Sequence, residues 1–359
     1  MPRMRTVVLS SLGVAAVAGV AGAAVAAVRS ATRDRRSVDV AGAEDAAPFA
    51  WTPDATTWVV ADDGTRLYAE IDEPQGHRTP PTVVFSHGFC LALGAWIHQR
   101  RAVVDAGYRC VVWDQRGHGR SGRGTDAQCT IDQLGRDLAE VIAQTTPEGP
   151  LVLIGHSMGG MTMMSFADQF PEEVRARVVA VVFVATSPGG QGLLSLGFGP
   201  VLGGVLARVG PRTLAGLAAR PQAWQRARRI GRDVESLLVQ RLSFASPVSQ
   251  ETVRYCADLL LGTDLTVVGA FLETFEDHDK RDALEVFADL PELVVNGQED
   301  VLTPPDHSDA LVAANPGAEH LLIPDAGHLV MLEHPAVVNL HLLGLLDRVG
   351  SRPDAAVSA

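Results

Sequence analysis

A serine near the middle of the chain stands in a setting that is typical of a catalytic nucleophile. Residues 155–159 read Gly-His-Ser-Met-Gly, and they follow an apolar run at 151–154 that predicts a buried strand. The residues after Ser157 have a helical pattern, so the pentapeptide is predicted to form a tight strand-to-helix turn that exposes the serine hydroxyl. The alternative is that Ser157 is an ordinary helix N-cap.

A serine needs a base that takes its proton, and the chain offers 11 histidines. His328 is the best candidate, because it lies in a loop directly after the last predicted strand and completes the chain order Ser, Asp, His. His156 lies inside the pentapeptide and is interpreted as pointing elsewhere, and His118 lies in a glycine-rich loop. The alternative for His328 is a role in capping or shaping its loop.

The base in turn needs an acid that orients it, and Asp300 is the candidate. It follows the apolar run 293–296, so it is predicted to reach the same edge of the sheet as Ser157. Two other carboxylates lie close in sequence, Glu299 beside Asp300 and Asp325 before the histidine loop. Both are interpreted as loop residues.

Two backbone N–H groups are expected to form an oxyanion hole. Met158 follows the nucleophile at the start of a helix, and Phe89 follows Gly88 in the loop after the apolar run 82–86. The side chains of Phe89 and Met158 are also predicted to contact the substrate. The alternative for Phe89 is simple packing in the core.

The elements that must position these residues are short apolar runs that alternate with helical patterns. Continuous apolar runs are typical of parallel strands that helices cover on both faces. The predicted strands are 57–61, 66–71, 82–86, 110–113, 151–154, 178–184, 293–296 and 320–323. The predicted helices are 94–105, 131–144, 158–170 and 336–349.

The alternation breaks at about residues 187–282, which are predicted to form a helical insertion. Ligands bind at the carboxyl edge of open α/β sheets, so the insertion is expected to cover that edge. Its apolar side chains suggest a substrate with an apolar acyl group; they include Leu193, Leu194, Leu196, Phe198 and Leu202.

In their order and spacing, these motifs resemble the α/β-hydrolase superfamily of esterases, lipases and haloperoxidase-like enzymes. The matching segments are 87–89, 114–121, 155–160, 297–300 and 327–328. The resemblance implies an α/β-hydrolase fold, with a mostly parallel sheet flanked by helices and a helical lid at about 187–282. It also implies a serine hydrolase that cleaves carboxylic esters through Ser157, Asp300 and His328. In that superfamily the segment 114–121 is a structural loop, so it receives no catalytic role.

Other reactions on the same fold stay open. Carbon–carbon bond hydrolases, cofactor-free haloperoxidases and acyltransferases use the same three residue types. In this superfamily the tight turn that carries the nucleophile is called the elbow. An aspartate at the elbow would favour dehalogenase or epoxide hydrolase chemistry, but the chain has Ser157 there. A non-catalytic binding protein on a hydrolase fold is the alternative from a different class. The sequence contains no phosphate loop, metal cluster or dinucleotide motif, so it predicts neither a cofactor nor a metal.

Composition narrows the class of partner. The net charge of −12 argues against nucleic-acid binding, which needs a basic surface. The four cysteines have no paired metal-ligand spacing, so they are interpreted as reduced, packed side chains. The partner is therefore expected to be a small molecule, and the oligomeric state is left open.

The N-terminus contains an uncharged, apolar stretch at residues 6–28 with arginines on both sides. A run of about 20 apolar residues can cross a bilayer. Residues 1–36 are therefore predicted to be a membrane anchor, with a cleaved secretory signal or a peripheral helix as the alternatives. Residues 37–53 are interpreted as a linker, 54–350 as the catalytic domain and 351–359 as a flexible tail.

Overall fold

An eight-stranded sheet runs through the residues that the computed structural model describes, which are 48–74, 81–190 and 239–350. The strand order is β1-β2-β4-β3-β5-β6-β7-β8; β1 and β2 pair antiparallel with their neighbours, and every pairing from β4 to β8 is parallel. The strands are β1 (Ala55–Val60), β2 (Arg66–Asp72), β3 (Thr82–Ser86), β4 (Cys110–Trp113), β5 (Leu151–His156), β6 (Val178–Val184), β7 (Glu292–Gly297) and β8 (Glu319–Ile323).

Helices cover both faces of this sheet. The α-helices that lie wholly within the described residues are α1 (Ile97–Asp105), α2 (Ile131–Thr145), α3 (Met158–Gln169), α4 (Pro171–Arg177), α5 (Gln250–Leu260), α6 (Leu265–Glu276), α7 (Pro305–Ala314), α8 (Val330–Glu333) and α9 (Pro335–Gly350). Short 3-10 helices occur at Leu93–Trp96, Asp126–Gln128 and Asp282–Phe287. The predicted strands and helices are therefore found within a few residues of their expected bounds, and the helix predicted from residue 94 begins as a 3-10 turn.

The alternation of side chains along the strands explains the two apolar cores. Val83 and Phe85 of β3 pack on the face that carries α1 and α9, whereas Val84 packs on the face that carries α2, α3 and α7. All five residues of β3 are buried. Strands that are buried on both faces read as continuous apolar runs, which is why the sequence pattern identified them.

The loops that follow the parallel strands meet at one edge of the sheet. The loop after β3 begins at His87, β5 leads into Ser157, β7 precedes Asp300 and β8 precedes His328. Since carboxyl ends of parallel strands share an edge, the topology brings the candidate residues together from four separate parts of the chain.

The packed region begins before the predicted domain boundary at residue 54. The Arg101 guanidinium donates hydrogen bonds to the carbonyls of Pro48 and Ala50, both at 2.7 Å. The ring of Phe49 stacks on Tyr255 of α5 with a centroid distance of 4.1 Å, and Trp51 packs against the same core. Residues 48–51 are thus part of the folded unit, and only 37–47 of the predicted linker lie outside the described residues.

The described part of the predicted insertion consists of residues 187–190 and 239–282, which include the helices α5 and α6. The ends meet through an isolated β-bridge between Gly189 and Asp279 and a 2.8 Å hydrogen bond from Lys280 N to Pro188 O. Residues 191–238, which include the leucines and Phe198 that suggested an apolar acyl group, lie outside the described residues. The lid therefore stays a prediction.

The N-terminal segment 6–28 and the tail 351–359 also lie outside the described residues. Among the residues that are described, no single helix combines the length and apolar composition needed to cross a membrane. The pair α5 and α6 reaches that length only when taken together, across a bend of 77°. The membrane anchor stays a prediction for the segment that suggested it.

Candidate active site

Ser157 occupies a strained backbone position between β5 and α3. Its φ of 51° and ψ of −117° lie where few residues other than glycine are found. Two hydrogen bonds stabilise this backbone conformation: Ser157 N donates to Val184 O at 2.9 Å, and the Thr186 hydroxyl donates to Ser157 O at 2.6 Å. Ser157 is partly exposed whereas both adjacent residues are buried. The turn therefore presents this side chain at the sheet edge, as the sequence predicts.

The glycines of the pentapeptide are required by close packing of the backbone. A Cβ atom on Gly159 would lie 2.0 Å from the carbonyl oxygen of Ser86, and one on Gly155 would lie 2.5 Å from the carbonyl carbon of Gly159. Both distances are far below van der Waals contact. Only glycine at these two positions lets β3, β5 and α3 approach closely enough to form the turn.

Asp300 and His328 form a buried pair. Nδ1 of His328 donates to Oδ2 of Asp300 at 2.8 Å, and the two residues are 7% and 3% exposed. Oδ2 also accepts from the Thr303 hydroxyl at 2.8 Å, while Oδ1 accepts from Leu302 N and Thr303 N at 2.8 and 3.0 Å. The structure thus brings together the predicted acid and the predicted base.

The Asp300 carboxyl is ionised despite its burial. Burial raises its pKa, but the interaction with His328 and the N–H groups of Thr303 and Leu302 lower it, so the net pKa is below the ordinary value. A carboxylate that stays charged orients the imidazole and stabilises its cation. Ser157 and His328 lie on loops at the same edge of the sheet, and within the described residues no hydrogen bond joins the serine hydroxyl to the imidazole. Such bonds are often long before substrate binds.

The two predicted oxyanion donors carry unpaired backbone N–H groups. Within the described residues neither Phe89 N nor Met158 N donates a hydrogen bond, although Met158 is fully buried. Met158 is the first residue of α3, where helix N–H groups have no partner of their own. Gly88 lies directly beside the elbow, since a Cβ there would be 3.2 Å from Ser157 Cβ.

His87 fixes the shape of the loop that carries Phe89. It is completely buried, its Nδ1 donates to Gly88 O at 2.7 Å, and its Nε2 accepts from Gln115 N at 2.9 Å. Burial holds the pKa of this imidazole well below its usual value, so the ring is neutral and has one tautomer. Gln115 of segment 114–121 supports this loop twice, since its backbone N–H binds His87 Nε2 and its side-chain amide donates to His87 O, which agrees with a structural role.

The Phe89 side chain packs beneath the helix α6. Its ring lies 5.1 Å from Phe275 and 6.2 Å from Phe271, measured between centroids. Met158 and Met161 of α3 belong to the same apolar cluster. Core packing, the alternative that the sequence left open for Phe89, therefore describes its ring, while its N–H group stays free.

Three contacts of the site were missed by sequence analysis. Thr303 and Thr186 support Asp300 and Ser157, as described above. His156 was interpreted as pointing elsewhere than to the serine hydroxyl, and the sequence did not indicate its partner: its Nε2 donates to His328 O at 3.0 Å. An aspartate whose side chain caps the N–H groups two and three residues later is a known turn pattern, so Thr303 could have been found from the sequence. The contact of His156 could not, because 172 residues separate it from His328.

The remaining candidates lie outside the pair. Glu299 and Asp325 are exposed, and neither side chain contacts His328 among the described contacts. His118 is buried with Nδ1 directed to Arg116 O at 2.9 Å. No group of three histidine, cysteine or acidic side chains in the described part of the chain is arranged to hold a metal ion.

Comparisons with known proteins agree with this architecture. A family model described as alpha/beta hydrolase fold matches residues 81–335. The structure of a thermophilic esterase from Thermogutta terrifontis superposes with a TM-score of 0.64 at 25% identity, covering 83% of this chain and 100% of that one. The chain therefore belongs to the α/β-hydrolase fold family, and the predicted fold is confirmed.

The curated relatives are named for the hydrolysis of different kinds of bond. Epoxide hydrolase B of Mycobacterium tuberculosis is 34% identical over 134 residues, which are 37% of this chain and 36% of that relative. The RutD protein of Variovorax paradoxus, which is named as a carbamate hydrolase, is 27% identical over 285 residues, covering 78% of this chain and 96% of that protein. This chain thus spans about a third of the length of the first relative and nearly all of the second.

Proposed function

We propose that the protein is a serine hydrolase that cleaves a carboxylic ester through Ser157, His328 and Asp300. The observation that supports this most is the 2.8 Å hydrogen bond between Asp300 Oδ2 and His328 Nδ1, at the sheet edge from which Ser157 emerges. An ionised carboxylate behind an imidazole is the arrangement that a general base for a serine requires.

The first half of the reaction forms an acyl-enzyme. Nε2 of His328 removes the hydroxyl proton of Ser157 as the serine oxygen attacks the ester carbonyl carbon. Asp300 holds the imidazole in the correct tautomer and stabilises the cation that forms. The imidazolium then gives its proton to the departing alcohol, and the acyl group stays on the serine.

The second half releases the acid. Water attacks the acyl-enzyme, His328 takes a proton from that water, and the same proton returns to the serine oxygen as the acyl bond breaks. In both halves the negative charge on the carbonyl oxygen is stabilised by the N–H groups of Phe89 and Met158. Donors that are in place before charge develops are usually the largest single contribution to catalysis.

The proposed substrate has an apolar acyl group. The support is the aromatic cluster of Phe89, Phe271 and Phe275, which lies beside the proposed oxyanion donors. A carbamate also presents a carbonyl carbon, so the same residues could act on it, and RutD makes it the second candidate. Epoxide opening is disfavoured, because an aspartate at the elbow would suggest that chemistry and this chain has Ser157.

Hydrolysis of p-nitrophenyl esters of graded chain length, with a p-nitrophenyl carbamate in parallel, tests the proposal. We expect turnover of esters, and we expect Ser157→Ala to lower kcat by about 10⁶-fold, as removal of a catalytic serine does. Ser165→Ala is the matched control, because Ser165 is a buried serine on the same helix. Carbamate turnover without ester turnover would replace the proposed substrate class. Equal turnover by Ser157→Ala would end the proposal.

The cellular site of action is a separate proposal. Residues 6–28 are proposed to anchor the protein in a membrane, which places the catalytic domain at a lipid surface. The full chain should then stay with membranes during an alkaline carbonate wash, which removes peripheral proteins. An N-terminus near residue 28 on protein recovered from the culture medium would instead show a secreted enzyme with a cleaved signal.

A further inference from the structure

Three loops of the candidate site converge on the imidazole of His156. The residue ends β5 immediately before Ser157, and its Nε2 donates to the carbonyl oxygen of His328 at 3.0 Å. Its ring lies 4.8 Å from the His328 ring, measured between centroids. On its other side a Cβ atom on Gly88 would come within 2.4 Å of Nδ1. The His156 side chain therefore lies between three loops, which carry Ser157, His328 and Gly88.

The hydrogen bond to His328 fixes the tautomer of His156. A carbonyl oxygen only accepts, so Nε2 carries the proton and Nδ1 carries the lone pair. Nδ1 is buried and has no hydrogen-bond partner among the described residues. Gly88 lies on the side of the ring that carries this nitrogen.

A buried acceptor without a partner is destabilising, and an apolar side chain would avoid that cost. What the imidazole provides in return is the hydrogen bond to the His328 carbonyl. Backbone groups of the neighbouring residues in this loop have partners on other elements: Gly327 N donates to Glu333 Oε2 at 2.7 Å, Leu329 N donates to Ser243 O at 2.9 Å, and Ala326 O accepts from Glu299 N at 3.0 Å. His156 is therefore the group that ties the proposed base to the strand that carries the nucleophile.

His156 also stays neutral beside a residue that must become charged. Burial, together with the charge of His328, lowers the pKa of His156 to about 3. A second cation at this distance would oppose protonation of His328 during catalysis. The neutral ring supplies the spacing without that repulsion.

We propose that His156 is a positioning residue, whose imidazole holds the His328 loop at the distance from Ser157 and Gly88 that hydrolysis requires. The inference rests on the proposed function of Ser157 and His328. It concerns geometry only, since His156 transfers no proton and touches no substrate.

Three variants of the full chain test it. His156→Leu removes the donor and also the unpaired nitrogen, so its melting temperature should change little. His156→Gln places an amide N–H near the position of Nε2 and should restore the bond. His320→Leu is the matched control, because the Nε2 of His320 on β8 is also buried and has no hydrogen-bond partner within the part of the chain that the structure describes.

We expect His156→Leu to lower kcat on a p-nitrophenyl ester by about 10²-fold, as small misplacements of catalytic groups do, with KM nearly unchanged. His156→Gln should recover most of that loss, and His320→Leu should match the wild type. Wild-type kcat in His156→Leu, or equal losses in the Leu and Gln variants at equal stability, would overturn the inference.

A second readout needs no substrate. The proton that His328 Nδ1 shares with Asp300 should give a strongly downfield resonance in the proton NMR spectrum of the resting protein. His156→Leu should shift or broaden it, whereas His156→Gln and His320→Leu should leave it in place. An unchanged resonance in all three variants would overturn the inference even if the protein proved to have no esterase activity. Absent ester turnover in the wild type would instead contradict the proposed function.

Discussion

A buried carboxylic acid lies near each end of the strand β7, and the pKa values of the two acids are shifted in opposite directions. Glu292 begins the strand and is 4% exposed, whereas Asp300 follows its carboxyl end and is 3% exposed. Four hydrogen bonds reach the Asp300 carboxylate from three residues. Within the described residues one hydrogen bond reaches the Glu292 carboxyl group, from Asn315 Nδ2 at 3.0 Å.

The difference in partners reverses the effect of burial. Burial raises the pKa of both groups, but for Asp300 the imidazole and the N–H groups of its loop offset it, and the net pKa is lowered. For Glu292 the bond from Asn315 offsets only part of the burial, and the pKa rises to about 7. Burial alone would thus have produced a neutral acid at the site. His328 and the N–H groups of the short loop after β7, and not the sheet, lower the pKa of Asp300.

The largest effect expected from this comparison is on turnover. Asp300→Asn should keep the fold and lower kcat by about 10⁴-fold, because an amide at this position favours the wrong tautomer of the base. Glu292→Gln, the same change at the other end of the strand, should leave kcat within about twofold, well below the effect of one hydrogen bond. Steady-state kinetics on one ester would measure both. Similar losses of kcat in the two variants would contradict the claim that only the acid after the carboxyl end of β7 takes part in catalysis.

The next effect is on stability, and it concerns Glu292. Because its folded pKa is raised from 4.5 to about 7, the folded state keeps a proton that the unfolded chain has already released, so stability falls as pH rises through this window. A gain of about 3 kcal/mol in unfolding free energy is expected for Glu292→Gln above pH 7, relative to its difference at pH 4.5. Urea titrations at pH 4.5, 6 and 8 would show it. A difference independent of pH would mean that Glu292 is ionised in the folded protein.

A smaller effect is expected from the hydroxyl that supports Asp300. Thr303→Val removes one donor from the carboxylate and should lower kcat/KM by about tenfold, the usual value for a hydrogen bond to a charged group. Its loss also raises the pKa of Asp300, so the acidic fall in activity should begin at a higher pH. Thr303→Ser should restore both properties. A Val variant with the wild-type pH profile would show that the backbone donors suffice.

The smallest effect concerns the one donor to Glu292. Asn315→Ala should raise the pKa of Glu292 further and move the pH at which stability is lost upward. The pH-dependent part should be about 1 kcal/mol, the contribution of one hydrogen bond. The same urea titrations separate it from the constant cost of removing the Asn315 side chain. An unmoved midpoint would mean that burial alone sets this pKa.

Much of the fold was predictable because it depends on local pattern. Strands buried on both faces are continuous apolar runs. The glycines of the pentapeptide around Ser157 predict its turn, because a close approach of the backbone requires glycine at these positions. Asp300 and His328 were predictable from chain order and from their positions after apolar runs. Each of these features depends on residues that are close together in the sequence.

The rest depends on contacts between distant parts of the chain. The bond from His156 to His328 joins residues far apart in sequence, and no local pattern specifies it. The opposite pKa shifts of Glu292 and Asp300 follow from partners that the fold supplies. The start of the packed region at residue 48 depends on Arg101 and Tyr255, which a linker-like composition does not reveal.

The central claim is that Ser157 becomes covalently acylated. The most direct measurement is intact-mass spectrometry of the protein after treatment with a fluorophosphonate, followed by peptide mapping. One adduct per chain is predicted, on the peptide that contains Ser157, together with its absence in Ser157→Ala and a greatly slowed reaction in Asp300→Asn. An adduct that persists in Ser157→Ala, or an unmodified wild-type protein that still hydrolyses esters, would contradict the account.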